Sequence, residues 1–587
     1  MNCRFAIASL VLAAVAGAGL SACGGGGGGD GGGDGGGPPA TVVVSGTVTF
    51  DRPSYSASNT LDFTSLQRLP VRGATVEVLR ASDQSVLATT TTNTSTGTYT
   101  ATVTNTPIIV RVKAQLIGSG TGAYDFEVRN NTSGNALYTL DSTTVTPSGS
   151  SVQVDLNAAT GWGGSAYTGT RAAAPFAILY MIWEARRLLQ EAEAGLTLPA
   201  LDIYWSPQNN VTECEGRPNP STGAIGTTFF TLGLSQSGSC PATPAGIYVL
   251  GDADGTSNDD ADEFDSSVVA HEFGHFYEAV LSRGDSPGGS HSLDWRLDLT
   301  LAFSEGFCNA FQGFVLNDRR YRDTFGTSGS LAFAYDMENG SSPYLVEQGW
   351  FAEASVHEFL WDVFDGTGDD QISLGFAAIH TVMRSDMPTT DALTSVYVMT
   401  SALETRNPSQ QAAIRSALQL EDILGQGAFG ANEKPVGANN ATGWPADPWA
   451  VPVYVPVTFG VPRTVVSINR FAESGDSFYQ SYNRLGGRRY LRIDLPAGGG
   501  LRITAQGPAG SDPDFALFRR GADQCPSGGG CSGFDDSVGS GLEEATFTGL
   551  GAGTYVLEVA ECSNLGEICR PGPARGDTAI DVTVVQQ

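Results

Sequence analysis

His271, Glu272 and His275, in the stretch SSVVAHEFGHFYE at residues 266–278, are the residues whose types and spacing point most directly to chemistry. At about 100° per residue, a helix puts histidines four apart on one face, one turn removed, so both imidazoles can reach one tetrahedral ion. Glu272 falls to the side of the pair, where its carboxylate can take a proton from a water acidified by that ion. The chemistry would be zinc-assisted hydrolysis. The bland reading is a pair of solvated helix histidines. Against it, the whole chain holds only five histidines, and two of them sit at this spacing beside the right acid.

Local signals predict a helix here. Asp265 is a good N-cap, Phe264 and Val269 occupy the two positions of a hydrophobic staple, and Asp262 and Glu263 favour the positive end. Val268, Val269, Phe273, Phe276 and Val280 form an apolar stripe. A catalytic zinc also needs a third protein ligand and an open position for water. The metzincin continuation fails, because Glu278 and Leu281 stand where that motif needs glycine and histidine, and no aspzincin-like GTxDxxYG segment is present. Glu305, in AFSEGFCNAF, remains: on a helix of mostly apolar residues an unpaired carboxylate would be costly. Gly306 and Gly313 would let that helix approach a neighbour, and Asn309, one turn on, could accept a hydrogen bond from a ligand histidine's outer nitrogen. His291 is the competing third ligand.

HEFGH followed by SEGFCNAF resembles the gluzincin metallopeptidases, the group that includes thermolysin-like endopeptidases and several aminopeptidases. The resemblance implies zinc held by His271, His275 and Glu305, with Glu272 as general base and later as acid to the leaving amine. Asn309 stands where thermolysin-like enzymes carry an aspartate. Two departures matter: the 29 residues between His275 and Glu305 exceed the usual spacing, and no exopeptidase motif is found. An electrophile for the tetrahedral oxyanion should exist. Tyr344 and His357 are downstream candidates, although His357 reads better as a satisfied core histidine.

The surrounding elements must position these residues. Residues 171–195 read as a buried helix, with short strands expected at 201–207, 227–234 and 246–251 and further apolar helices at 299–316 and 351–365. Residues 41–157 alternate in the β manner, and VSGTVTF, PVRGATVEVL and TGTYTATV resemble carboxypeptidase regulatory-like modules. Residues 432–457 are rich in Pro, Asn and Gly and read as a linker. Residues 458–587 alternate again and are similar to the pre-peptidase C-terminal domain. The expected architecture is multidomain: an α+β zincin-like metallopeptidase domain over 158–431, flanked by N- and C-terminal all-β sandwich domains.

The N-terminus indicates export. Residues 1–22 have signal-peptide anatomy, and Leu20-Ser21-Ala22-Cys23 resembles a bacterial lipobox, which implies a membrane anchor on a lipidated Cys23. The glycine-rich residues 23–40 would then be a tether. Cysteine spacing fits an oxidising compartment, with close pairs Cys214–Cys240, Cys525–Cys531 and Cys562–Cys569 and a left-over Cys308 in an apolar helix, read as an inert buried thiol. With 32 Lys and Arg against 62 Asp and Glu, the net charge of −30 excludes nucleic acid as a natural partner. The acidic run GDADGTSNDDADEFD at 251–265 offers oxygen ligands of the kind Ca2+ takes, but out of EF-hand register, and a solvated helix-capping loop is the expectation. Taken together these residues point to an exported zinc peptidase acting on protein or peptide. The rival is an adhesive or scaffold lipoprotein with a peptidase-like domain.

Overall fold

A computed structural model describes residues 40–252, 260–326, 329–338, 347–366, 371–437, 447–471, 481–524, 540–569 and 573–587. The leader, Cys23, most of the tether, Tyr344, Cys525 and Cys531 lie outside the described residues. The chain is strand-rich, with several sheets and more than one hydrophobic core.

In the N-terminal region, alternation of apolar and polar residues produces strands with one buried face. Along Thr41–Tyr55, Val42, Val44, Val48 and Phe50 are inward and solvent-free. That strand organises a five-stranded sheet, and a second sheet of nine strands runs beside it. The second sheet crosses position 157: Tyr124–Asn130 pairs in parallel with Leu201–Trp205, which pairs in turn with Gly246–Val249 and then the edge strand Phe229–Thr231. Strands before and after 157 are thus hydrogen-bonded neighbours, and one hydrophobic core joins them to the helices.

Among the described residues seven α-helices follow the first strands: α1 (Ala174–Ala192), α2 (Ser266–Leu281), α3 (Leu299–Leu316), α4 (Glu353–Phe364), α5 (Gly375–Ser385), α6 (Val396–Arg406) and α7 (Gln411–Leu420). Pro175 sits in the first turn of α1, where its missing N–H costs nothing. Helix α3 is buried nearly all round because it lies against both α2 and α4. Glycines permit this: a Cβ on Gly306 would come within 2.5 Å of Val356, and one on Gly274 within 3.0 Å of the Cys308 sulfur. A hairpin, Arg320–Phe325 with Leu331–Asp336, was not foreseen; it joins the short strands Gly251–Asp252 and Asp260–Ala261 in a four-stranded sheet.

The C-terminal region forms a five-stranded and a four-stranded sheet around a core of its own that includes Leu491, Ile503, Phe515, Leu557 and Ile580. Its first strand is Val455–Pro456, and Val451, Val453 and Tyr454 are buried, so the described end of the expected linker is packed structure. The Cys214–Cys240 and Cys562–Cys569 disulfides are formed.

Candidate metal centre

Asp265 occupies the N-cap position of α2, but its carboxylate is not spent on that helix. It accepts instead from the backbone N–H (2.8 Å) and hydroxyl of Thr324, tying the start of α2 to the hairpin. The N-terminal strand reaches the same place, with Arg52 donating to the Ser266 hydroxyl and the Tyr55 hydroxyl accepting from the Ser266 N–H. At the start of α3, Asp298 does cap its helix, accepting from the Thr300 N–H at 3.0 Å. Both helices are thus held at their N-termini, and their middles meet.

At that meeting point His271 Nε2 lies 3.1 Å from His275 Nε2, and each lies 3.2 Å from Glu305 Oε2. All three are at least four-fifths buried, His275 being the most open with 19% of its side chain exposed. Three electron-pair donors this close repel one another unless something positive sits among them. Their spacing matches the edges, about 3.3 Å, of a tetrahedron whose bonds are about 2.0 Å long, the length of zinc bonds to imidazole and carboxylate. The donor set therefore fits a zinc ion. Burial alone would raise the Glu305 carboxyl, but His291, His275 and His271 around it hold it well below the usual carboxylate range.

The outer nitrogen of His275 faces the Cys308 sulfur at 3.2 Å. With Nε2 turned to the metal position, the Nδ1–H donates to sulfur, which fixes the tautomer. Burial pushes the thiol up to about 12, so it stays neutral. Cys308 is the free, buried thiol that was expected, and it has in addition a partner in the site; the expectation for Asn309 needs correcting, because it turns away to Glu353, its Nδ2 donating to Oε2 at 3.5 Å. Cys308 lies three residues, nearly one turn, beyond Glu305 and so comes to the same face of α3.

His291 reaches the site from the loop before α3. Its Nε2 is 3.3 Å from Glu305 Oε2 and its Nδ1 is 3.0 Å from Glu353 Oε2. Burial disfavours a charged ring, but the two carboxylates outweigh it and push His291 up to about 9. The loop is held from the C-terminal region: Asn483 and Arg484 both donate to the Ser290 carbonyl, at 2.8 and 2.9 Å. Glu353 was missed in the sequence, although a carboxylate in the apolar helix FAEASVHEFLWDVFD carries the same signal that singled out Glu305.

Glu272 is 8% exposed and points to the edge strand, with the Phe230 N–H directed at its carboxylate. Burial, reinforced by the charge of Glu305, raises its pKa. Across the site Tyr321 packs edge-on against His271, 6.3 Å between ring centres, and stacks on Tyr335. His357 is not at the site and is not a satisfied core histidine. It stacks on Tyr335, both ring nitrogens lack partners, and burial pushes it down to about 3, so it is neutral.

A comparison with the curated proteins gave no match. Among solved structures, the pre-peptidase C-terminal domain of collagenase from Bacillus anthracis is 12% identical, covering 22% of this chain and 93% of that one with a TM-score of 0.15. CorA, a surface-associated copper-binding protein of Methylomicrobium album BG8, is also 12% identical, covering 23% and 97% with a TM-score of 0.16. Scores of this size establish no shared fold. Residues 239–416, which hold His271, Glu272, His275 and Glu305, match the family model of the Mycolysin C-terminal domain, so this segment is a peptidase-related domain.

Proposed function

We propose that this protein is an exported zinc peptidase, anchored at the cell envelope through a lipidated Cys23. The observation that carries the reading is the triangle of His271, His275 and Glu305 at metal-ligand spacing with Glu272 at its side. Bound there, a zinc ion would supply Lewis acidity and bring the pKa of a water toward about 7. Glu272, with its raised pKa, takes the proton of the attacking water and returns it to the leaving amine. His291, oriented by Glu353, is the residue best placed to donate to the developing oxyanion. No described strand pairs with the outer edge of Phe229–Thr231, so an extended peptide can add there beside Glu272.

The purified chain and its Glu272→Gln variant decide the matter. Both should carry zinc, and the variant should lose about 10²–10⁴-fold in peptide hydrolysis. An inert, zinc-loaded wild type favours the scaffold reading.

A further inference from the structure

A second cluster of acids lies at the approach to α2, outside the His271–His275–Glu305 triangle. Asp260, Asp262, Glu263 and Asp265 were expected to belong to a solvated capping loop, yet Asp262, Glu263 and Asp265 are 3%, 2% and 0% exposed. Asp265 is satisfied by Thr324, and the charge of Glu263 is paired with Arg171 at 2.8 Å although its Oε2 has no partner. Asp262 has no basic partner among the described residues. Thr228 donates to its Oδ2, while its Oδ1, buried, has no partner. One carboxylate oxygen from each of Asp260, Asp262 and Asp323 lies within 4.8 Å of the other two.

We propose that Asp260, Asp262 and Asp323 form a calcium site that clamps the approach to α2 onto the hairpin strand Arg320–Phe325. An isolated buried carboxylate oxygen is costly, and Arg171, the basic partner of the neighbouring Glu263, is already committed to Glu263 and the Gly251 carbonyl. The donors are all oxygen, which suits a hard cation and not zinc, and calcium accepts irregular carboxylate cages where magnesium demands a near-ideal octahedron and keeps its waters. The charge environment agrees: burial and Glu263 push Asp260 up to about 6, and burial and Asp260 push Asp323 up to about 7. The clamp has a direct structural consequence, since the same strand carries Tyr321, which packs on His271. The site does not depend on the peptidase reading, and an inert protein would leave it standing.

The test is calcium titration of the full chain at fixed zinc, followed by calorimetry and thermal unfolding, with Asp262→Asn and Asp323→Asn alongside. Wild type should bind Ca2+ saturably with a rise in Tm that Mg2+ does not reproduce. Each variant should bind Ca2+ at least about tenfold more weakly, and Asp262→Asn without calcium should melt no lower than calcium-free wild type, because a repulsive charge is gone. If one variant fails to fold, the other decides. No Ca2+ response in wild type, an equal response to Mg2+, or an undiminished response in the variants would overturn the site.

Discussion

Glu305 on α3 and Glu358 on α4 are both buried carboxylates on neighbouring helices, 6% and 2% exposed, and they are driven in opposite directions. Glu305 faces imidazoles and is held ionised. Glu358 faces Glu421, with Asp362 and Asp336 near, and burial together with these acids pushes it up to about 9. Burial of the residue is therefore no guide to its charge. The neighbours decide it, and only the first arrangement concentrates electron-pair donors on a point where a cation fits.

The comparison can be broken most severely at Glu305. Glu305→Gln removes the negative ligand and should leave the dialysed protein with almost no zinc by elemental analysis, and with no peptide hydrolysis. A smaller loss is expected one shell out. Cys308→Ala leaves the His275 Nδ1–H without its acceptor and should weaken zinc about 10–100-fold in competition with a chelator, with Cys308→Ser recovering part of it. The smallest effect concerns Glu358. Its folded pKa, and that of Glu421 at about 7, lie above the ordinary carboxylate value, so the folded state binds the extra protons. The associated stability is present below about pH 4.5 and is lost as pH rises through 7 and toward 9. Glu358→Gln should therefore raise Tm by a few degrees at pH 8 and change it little at pH 4.5; equal shifts at both pH values would show that the pair is not the cause.

Much of the site was legible because its chemistry is local. His271, Glu272 and His275 share one helix, and the apolar surroundings of Glu305 marked it as a carboxylate in need of a partner. The bounds of α3 follow from its apolar run. What the sequence did not disclose depends on distant contacts. Cys308 meets His275 only because Gly274 lets α3 come close. Glu353 meets His291 across 62 positions. Asp265 has capping chemistry, yet Thr324, arriving on an unforeseen hairpin, takes its carboxylate. Asp262, Glu263 and Asp265 are hydrophilic by type and buried in the fold, beside the same hairpin, whose Phe325 pairs with Asp260.

The parallel pairing of Tyr124–Asn130 with Leu201–Trp205 bears on how this protein can be dissected. A fragment begun at 158 would strip that central ladder of its flank and expose raw backbone, an invitation to aggregate. The leading module is thus not detachable cargo in front of the His271–His275–Glu305 centre but part of the framework that carries it, and any fragment meant to keep that centre folded has to begin near residue 41.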